Sequence, residues 1–374
     1  MKTKHSIVRE FIKSKILDGT YIPNQKISSE SELMDRFKVS RHTVRLAIGD
    51  LVNQGWLVRK QGAGTYCAER KDIGTQSKSQ KNIAIIATHI SDYIFPSIIQ
   101  GAEFFLSKND YQVSLFNTDN NHENEKQVLE KILTYQVDGV IVEPTKSAIS
   151  NPNINYYLNL EKSNIPYIMI NAYYDELEPL SIIINDEKGG FLQTEHLIEL
   201  GHQNILGFFK TDDLQGTRRM KGYLKAHRTH HVSISPNNIV TYHTQEKISK
   251  PPEELEKILD QSSNHQPTAI VCYNDELAML LLEVLRRRNI KVPEDISLVG
   301  YDDSSLSEIS EVKLTNIRHP QSDMGEKAAD MIMDLVDAKN GLPQAAEAVE
   351  SIIYEPQLIV RNSTMDLRQI GITS

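Results

Sequence analysis

The feature that most restricts the fold of this chain is a change of hydrophobic period near Asn82. Before that point the apolar residues recur three and four positions apart. Beyond it they form short runs, Ile83–Ala87, Val113–Phe116, Gly139–Val142, Tyr167–Ile170, Ile182–Ile184, Ile205–Phe208, Ile239–Tyr242, Ala269–Cys272 and Ser297–Val299. Between the runs lie helical segments through Phe104-Phe105, Val128–Leu133, Gly190–Leu200, Arg219–His227 and Glu276–Arg288. A run of this length reads as a buried strand and the intervening periodicity as a helix. Strands alternating with helices predict an α/β body of parallel sheets covered on both faces. With 374 residues there is room for two or three domains of about 100–200 residues. The segment after Asn82 is longer than one such core usually takes, so two lobes are expected.

The region before Asn82 has a different logic. Ile7, Val8, Phe11, Ile12, Ile16 and Leu17 mark a first helix that stops at Asp18-Gly19. Ser28 and Ser29 precede a second, with Glu30 and Glu32 in its first turn and Leu33, Met34 and Phe37 on its buried side. Lys38-Val39 leaves space only for a tight turn before Ser40 caps a third helix, whose buried stripe is Val44, Ala47, Ile48 and Leu51. The other side of this helix opens with Arg41, His42, Thr43 and Arg45. Two short helices about a tight turn, the second opening with hydrogen-bond donors, read as a helix-turn-helix. Arginine there can bond a guanine edge in the major groove. Trp56-Leu57-Val58 and Thr65-Tyr66-Cys67 flank Lys60-Gln61-Gly62-Ala63-Gly64, a basic, glycine-rich hairpin tip of the kind called a wing. Trp56, the sole tryptophan, is read as core of this head.

Charge supports the division. The first 80 residues carry 15 Lys and Arg against 8 Asp and Glu, so a balance of −16 falls on the remainder of a chain whose total is −9. A basic head on an acidic body is the asymmetry expected when one end meets phosphates. Between them, the polar stretch 69–81 reads as a linker, which gives a head over 1–68 and a body over 82–374. No signal peptide is apparent and no apolar stretch approaches the roughly 18 residues of a membrane span, so a cytoplasmic protein is expected. Cys67 and Cys272 suggest neither a disulfide framework nor a metal site, and the His227, His230 and His231 cluster lacks a clear carboxylate or cysteine partner. There is no P-loop, no Gly-x-Gly-x-x-Gly after a strand and no nucleophile elbow, which disfavours an enzyme; no catalytic residue and no cofactor is assigned.

In open α/β sheets ligands bind beyond the carboxyl ends of the strands. The residues there include Tyr93, Glu143, Asn171, Asn274-Asp275 and Asp302-Asp303, a set of carboxylates, amides and an aromatic suited to a polyol.

Two resemblances sharpen these readings. Ser29-Glu30-Ser31-Glu32-Leu33, Val39 to Arg45, Ala47-Ile48, Leu51, Gly55 and Gln61 to Thr65 resemble a GntR-family winged-helix head. The resemblance implies DNA contacts at Glu30, Arg41, His42, Thr43, Arg45, Gln61, Gly62 and Gly64. For Glu30 three roles stay open: accepting from cytosine N4, positioning an arginine, or capping its helix by charge. Leu200-Gly201-His202, Arg219 to Tyr223, Cys272 to Ala278 and Val292 to Asp303 resemble the LacI/GalR effector domain. That implies a periplasmic-binding-protein-like (type I) body, with sugar contacts at Arg219, Asn274 and Asp302 and a first-lobe carboxylate at Glu143; Tyr93 and Asn171 are added by position. A GntR-type head on such a body is similar to the AraR-type L-arabinose repressors of Gram-positive bacteria, and Ile90–Ile99 and Val142–Ala148 resemble that group closely. The resemblance implies a repressor that binds palindromic operator DNA as a homodimer through its body and is released by L-arabinose. Regulation by another pentose or hexose, and activation, are the alternatives.

Overall fold

The computed structural model describes residues 3–69, 81–91, 94–135, 137–261, 266–341 and 349–370. The head is built from α1 (Lys4–Leu17), α2 (Glu30–Phe37), α3 (Arg41–Asn53) and a hairpin of β1 (Leu57–Lys60) and β2 (Gly64–Cys67). Each helix starts at the residue its chemistry favours. Thr3 and Ser40 accept backbone N–H groups at the starts of α1 and α3. At α2 a reciprocal box forms: Ser29 accepts from the Glu32 N–H while the Glu32 carboxylate accepts from the Ser29 N–H. Lys38 closes α2 in the left-handed region at φ 52°, which makes the tight turn into α3. Val44, Ala47, Ile48, Leu51 and Trp56 are buried together, as their spacing predicts. The hairpin pairs antiparallel from Leu57↔Cys67 to Lys60↔Gly64. Gly64 sits at φ +116°, and a Cβ there would press to 2.7 Å from the Lys26 side chain, so the wing's return needs glycine.

The first lobe contains β3 (Asn82–Ala87), α4 (Phe95–Lys108), β4 (Gln112–Asn117), α5 (His122–Ile132), β5 (Gly139–Val142), α6 (Ile154–Lys162), β6 (Tyr167–Ile170) and β7 (Ser181–Ile184). The second contains α7 (Asp186–Glu199), β8 (Ile205–Lys210), α8 (Leu214–Thr229), β9 (Ile239–Tyr242), α9 (Lys250–Asp260), β10 (Ala269–Cys272), α10 (Asp275–Arg287), β11 (Ser297–Val299) and α11 (Ser305–Ile309). The chain then returns through β12 (Asn316–Arg318) to α12 (Gln321–Lys339) and β13 (Ile352–Tyr354), and leaves again by β14 (Gln357–Ile359). The first sheet runs β13-β7-β6-β5-β3-β4 and the second β11-β10-β8-β9. Every pairing in both sheets is parallel.

All nine expected strands form. What the periodicity does not give is the return: α12 packs on α4, and β13 joins β7 in register Ile352↔Ile182. The antiparallel pair β12-β14 lies between the lobes, so the chain crosses from one lobe to the other three times. The helices α6, α9 and α11 were likewise not expected. Two expected helices start earlier than their apolar stripes suggest: α7 at Asp186 rather than Gly190, and α8 at Leu214 rather than Arg219. These two helices touch at glycine. A Cβ on Gly190 would lie 2.2 Å from the Arg219 carbonyl oxygen, and one on Gly222 would lie 2.0 Å from that of Glu187.

Candidate functional site

On the head, the start of α3 and the wing enclose a groove lined by Glu30, His42, Arg45, Leu46, Gly49, Arg59, Lys60, Gln61, Gly62, Gly64 and Thr65. Six of the eight expected DNA contacts are therefore brought together. Arg41 lies beside the groove, its Nε 3.9 Å from a Glu30 oxygen. Thr43 turns its hydroxyl to Ser40 Oγ at 2.9 Å, in the cap rather than in the groove. The hydrogen-bonded cap of α2 is made by Ser29 and Glu32, while Glu30 adds charge to the same first turn and both its oxygens accept from Arg45 Nε at 3.2 and 3.1 Å. Arg59 and Lys60 add positive charge on the wing side of the groove. Lys60 was visible in the sequence as part of the basic tip; Arg59 shares a strand face with buried Leu57 and is exposed only because β1 runs out beyond the core after that residue.

In the body, the strand ends of the two lobes face one another across a cavity. Glu143, Asn171, Arg219, Asn274 and Asp302 all line it. Tyr93 falls outside the described residues.

Arg219 is the most heavily engaged residue of the cavity. Its Nε donates to Asp186 at 2.8 Å, one terminal nitrogen to the Tyr273 carbonyl at 2.7 Å, and the other lies 3.5 Å from Asp302. The guanidinium also lies over the Tyr301 ring, 3.4 Å from its centroid. Burial works against its charge, but Asp186 and Asp302 hold it protonated well above its ordinary range. The glycine contact between α7 and α8 is what allows the Arg219 backbone to come this close to the start of α7.

Glu143, at the end of β5, accepts from both the backbone N–H and the hydroxyl of Thr88, at 2.7 and 2.5 Å. Burial nonetheless pushes its carboxyl up to about 7, against the pull of Thr88, Lys210 and Asn171. Asn171 stands in the left-handed region at φ 65° and Asp302 at φ 93°. Both are non-glycine residues held in uncommon backbone at the site. Asn274 caps α10 by accepting the Leu277 N–H at 2.9 Å, which leaves its NH₂ for the cavity.

Sequence reasoning missed several lining residues. Lys210, at the end of β8, pairs with Asp213 at 3.0 Å, and Asp213 also accepts from the Tyr273 hydroxyl at 2.6 Å. Tyr242 and Tyr273 meet edge to face, 6.4 Å between centroids, and both line the cavity with Phe95 and Ile94. The strand-end rule would have found Lys210 and Tyr242, had it been applied to β8 and β9. At the rim, three hydrogen bonds cross from lobe to lobe: Asn120 to Thr244 at 2.6 Å, the Leu214 N–H to Ser147 at 2.9 Å, and Arg218 to the Tyr173 hydroxyl at 2.7 Å. His227 and His230 diverge, the first to the Tyr223 carbonyl and the second to Glu195, and no group of three or more potential metal ligands occurs among the described residues. No helix among them is long and apolar enough to cross a membrane.

Residues 5–67 match the family of bacterial regulatory proteins called gntR, and residues 194–364 match a periplasmic binding protein-like domain. The chain is 56% identical, over 98% of both chains, to the arabinose metabolism transcriptional repressor of Halalkalibacterium halodurans. It is 45% identical to the arabinose metabolism transcriptional repressor of Geobacillus stearothermophilus, covering 97% of this chain and 98% of that one. Among solved structures, a LacI family transcriptional regulator from Enterococcus faecium with bound ribose superposes with a TM-score of 0.64. It shares 26% identity and covers 77% of this chain and 100% of its own. The transcription regulator CcpA of Lactococcus lactis shares the fold at a TM-score of 0.66 and 23% identity, covering 76% of this chain and 99% of its own.

Proposed function

Because the chain belongs to the family of arabinose metabolism transcriptional repressors, and is thus a DNA-binding transcription regulator rather than an enzyme, we propose that L-arabinose is its effector and releases it from operator DNA. The observation that carries the effector assignment is the donor and acceptor set gathered in one buried cavity. Glu143 and Asp302 can accept from hydroxyls, Arg219, Asn171 and Asn274 can donate to them, and Tyr242 and Tyr273 can cover an apolar sugar face. A neutral polyol satisfies such a set without adding charge to it. The proposed organisation is a head over 1–68, a linker over 69–81 and a body over 82–374 that forms a homodimer. Two heads then read a palindromic operator, one half-site each, with Arg45, His42 and Gln61 facing the bases.

Sugar between the lobes favours the arrangement in which the rim bonds of Asn120, Ser147 and Arg218 are made. The dimer then spaces its heads differently. A ligand needs only about 1–3 kcal/mol of differential affinity to shift such an equilibrium usefully. The cytoplasm, where the operator is, is the proposed location. Fluorescence anisotropy on a palindromic promoter fragment at fixed salt tests the reading. The expected result is tight binding released by L-arabinose and untouched by D-galactose or D-ribose. Tight binding indifferent to L-arabinose would sink the effector assignment, and binding no tighter than to random DNA would sink the operator assignment.

A further inference from the structure

His319 stands between β12 and α12, on one of the crossings between the lobes, and it is only 6% exposed. Its side chain lines the cavity, and both ring nitrogens are engaged. The backbone N–H of Gln321 lies 3.0 Å from Nδ1. A backbone N–H can only donate, so Nδ1 is the bare nitrogen and the ring proton sits on Nε2. Nε2 lies 3.0 Å from Asn171 Oδ1 and donates to it. The Asn171 amide is thereby oriented: its oxygen faces the hinge and its NH₂ is the end left for the cavity beside Glu143, whose carboxyl the Asn171 side chain helps to hold down. On the other side, Gln321 Nε2 donates to the carbonyls of Asp302 and Asp303 at 3.1 and 3.3 Å. Residues 319–321 thus hold the first lobe at Asn171 and the second at Asp302. Burial, with the Arg219 charge, pushes the imidazole down to about 3, so this neutral tautomer persists across ordinary pH.

We propose that His319 is a positioning residue for effector recognition, which fixes the Asn171 amide so that the first lobe offers an N–H donor beside the Glu143 acceptor. That donor–acceptor pair matches a vicinal diol, one hydroxyl accepting from Asn171 and its neighbour donating to Glu143. A reversed amide would set two acceptors side by side, repelling each other and leaving the diol one partner short. The inference rests on the reading that the cavity takes a sugar.

The test is titration calorimetry of the full chain with L-arabinose, on the wild type, His319→Gln and His319→Asn. Glutamine keeps an N–H within reach of Asn171. Asparagine can replace only the Nδ1 acceptor. The expected result is an affinity loss of about tenfold or more for His319→Asn against about threefold or less for His319→Gln, the cost of one buried hydrogen bond left unmade. Melting temperatures of both variants separate lost positioning from lost fold. Wild-type affinity in His319→Asn, or equal losses in the two variants, overturns the proposal. If the wild type binds no L-arabinose, the sugar reading fails on its own, and ¹⁵N-imidazole spectra of the full chain still decide the orientation. A proton on Nε2 that stays put to pH 5 supports it, and a proton on Nδ1, or a charged ring at pH 6, overturns it.

Discussion

The head and the body each build their site around an arginine held by carboxylates, and the two arrangements are physically opposite. On the head, Arg45 pairs with Glu30 while its side chain is 61% exposed. In the body, Arg219 pairs with Asp186 and Asp302 at 4% exposure. Water screens the first pair, so exchanging Glu30 for a base edge or a phosphate costs little. The second cannot dissociate, because each partner would be left as an uncompensated charge in the interior. An exposed pair therefore suits a surface that must re-form its contacts on DNA. A buried one suits a site that must already have its shape when a small ligand arrives.

The comparison breaks most visibly at Arg219. Arg219→Ala strands Asp186 and Asp302, and denaturant unfolding should show a loss of about 3–5 kcal/mol together with loss of the L-arabinose response. A variant as stable as the wild type would mean that Asp186 and Asp302 do not depend on the Arg219 charge. Arg45→Ala is expected to leave unfolding within about 0.5 kcal/mol of the wild type and to lose about 1–3 kcal/mol of discrimination between operator and mismatched DNA. Anisotropy on the two DNAs measures it, and equal discrimination would take Arg45 out of the base-reading set.

The next effect is one of pH. Glu143 titrates near 7, so acidification protonates it and removes an acceptor from the sugar. L-Arabinose affinity should fall about tenfold between pH 8 and pH 6, and Glu143→Gln should abolish that slope. A flat profile in the wild type would contradict the role given to Glu143. Stability is a poorer probe of the same group. Glu143 and Asp275, both pushed up to about 7, lose stabilisation as pH rises from the ordinary carboxyl range through 7. His202 and His319, held at about 4 and about 3, gain it as pH rises from there to 6.5, so the contributions offset. The smallest effect is expected at Glu30. Glu30→Gln should change stability by less than about 1 kcal/mol and operator discrimination by no more, with the salt dependence of binding intact. A loss as large as that of Arg45→Ala would mean that Glu30 itself reads a base.

The head was legible almost to the residue, because its signals are local. A capping serine, a buried stripe and a glycine turn each declare themselves within a few positions. The first nine strands of the body and its five predicted helices were legible for the same reason. The return through β12, α12 and β13 was not. Ile352–Tyr354 lies outside the strand–helix alternation read from the sequence, and its place beside Ile182 is fixed only by the closed first lobe. The cavity divides in the same way. Glu143, Asn171, Asn274 and Asp302 could be found as strand ends, and Arg219 only by resemblance. Asp186 and His319 had no local signal, since one matters through a helix that begins before its apolar stripe and the other through a crossing that only the tertiary fold creates.

That late return has a consequence for how the protein comes into being on the ribosome. The head is complete once Cys67 has emerged and can fold at once. The first lobe lacks its sixth strand until Tyr354 has been made, although its other five are finished by Ile184. Between those two points, then, each nascent molecule carries a finished DNA-reading module ahead of an unfinished sensor whose sheet edge at β7 is open. Fidelity of assembly for this regulator is a question of whether its own last strand reaches that edge before another chain's strand does.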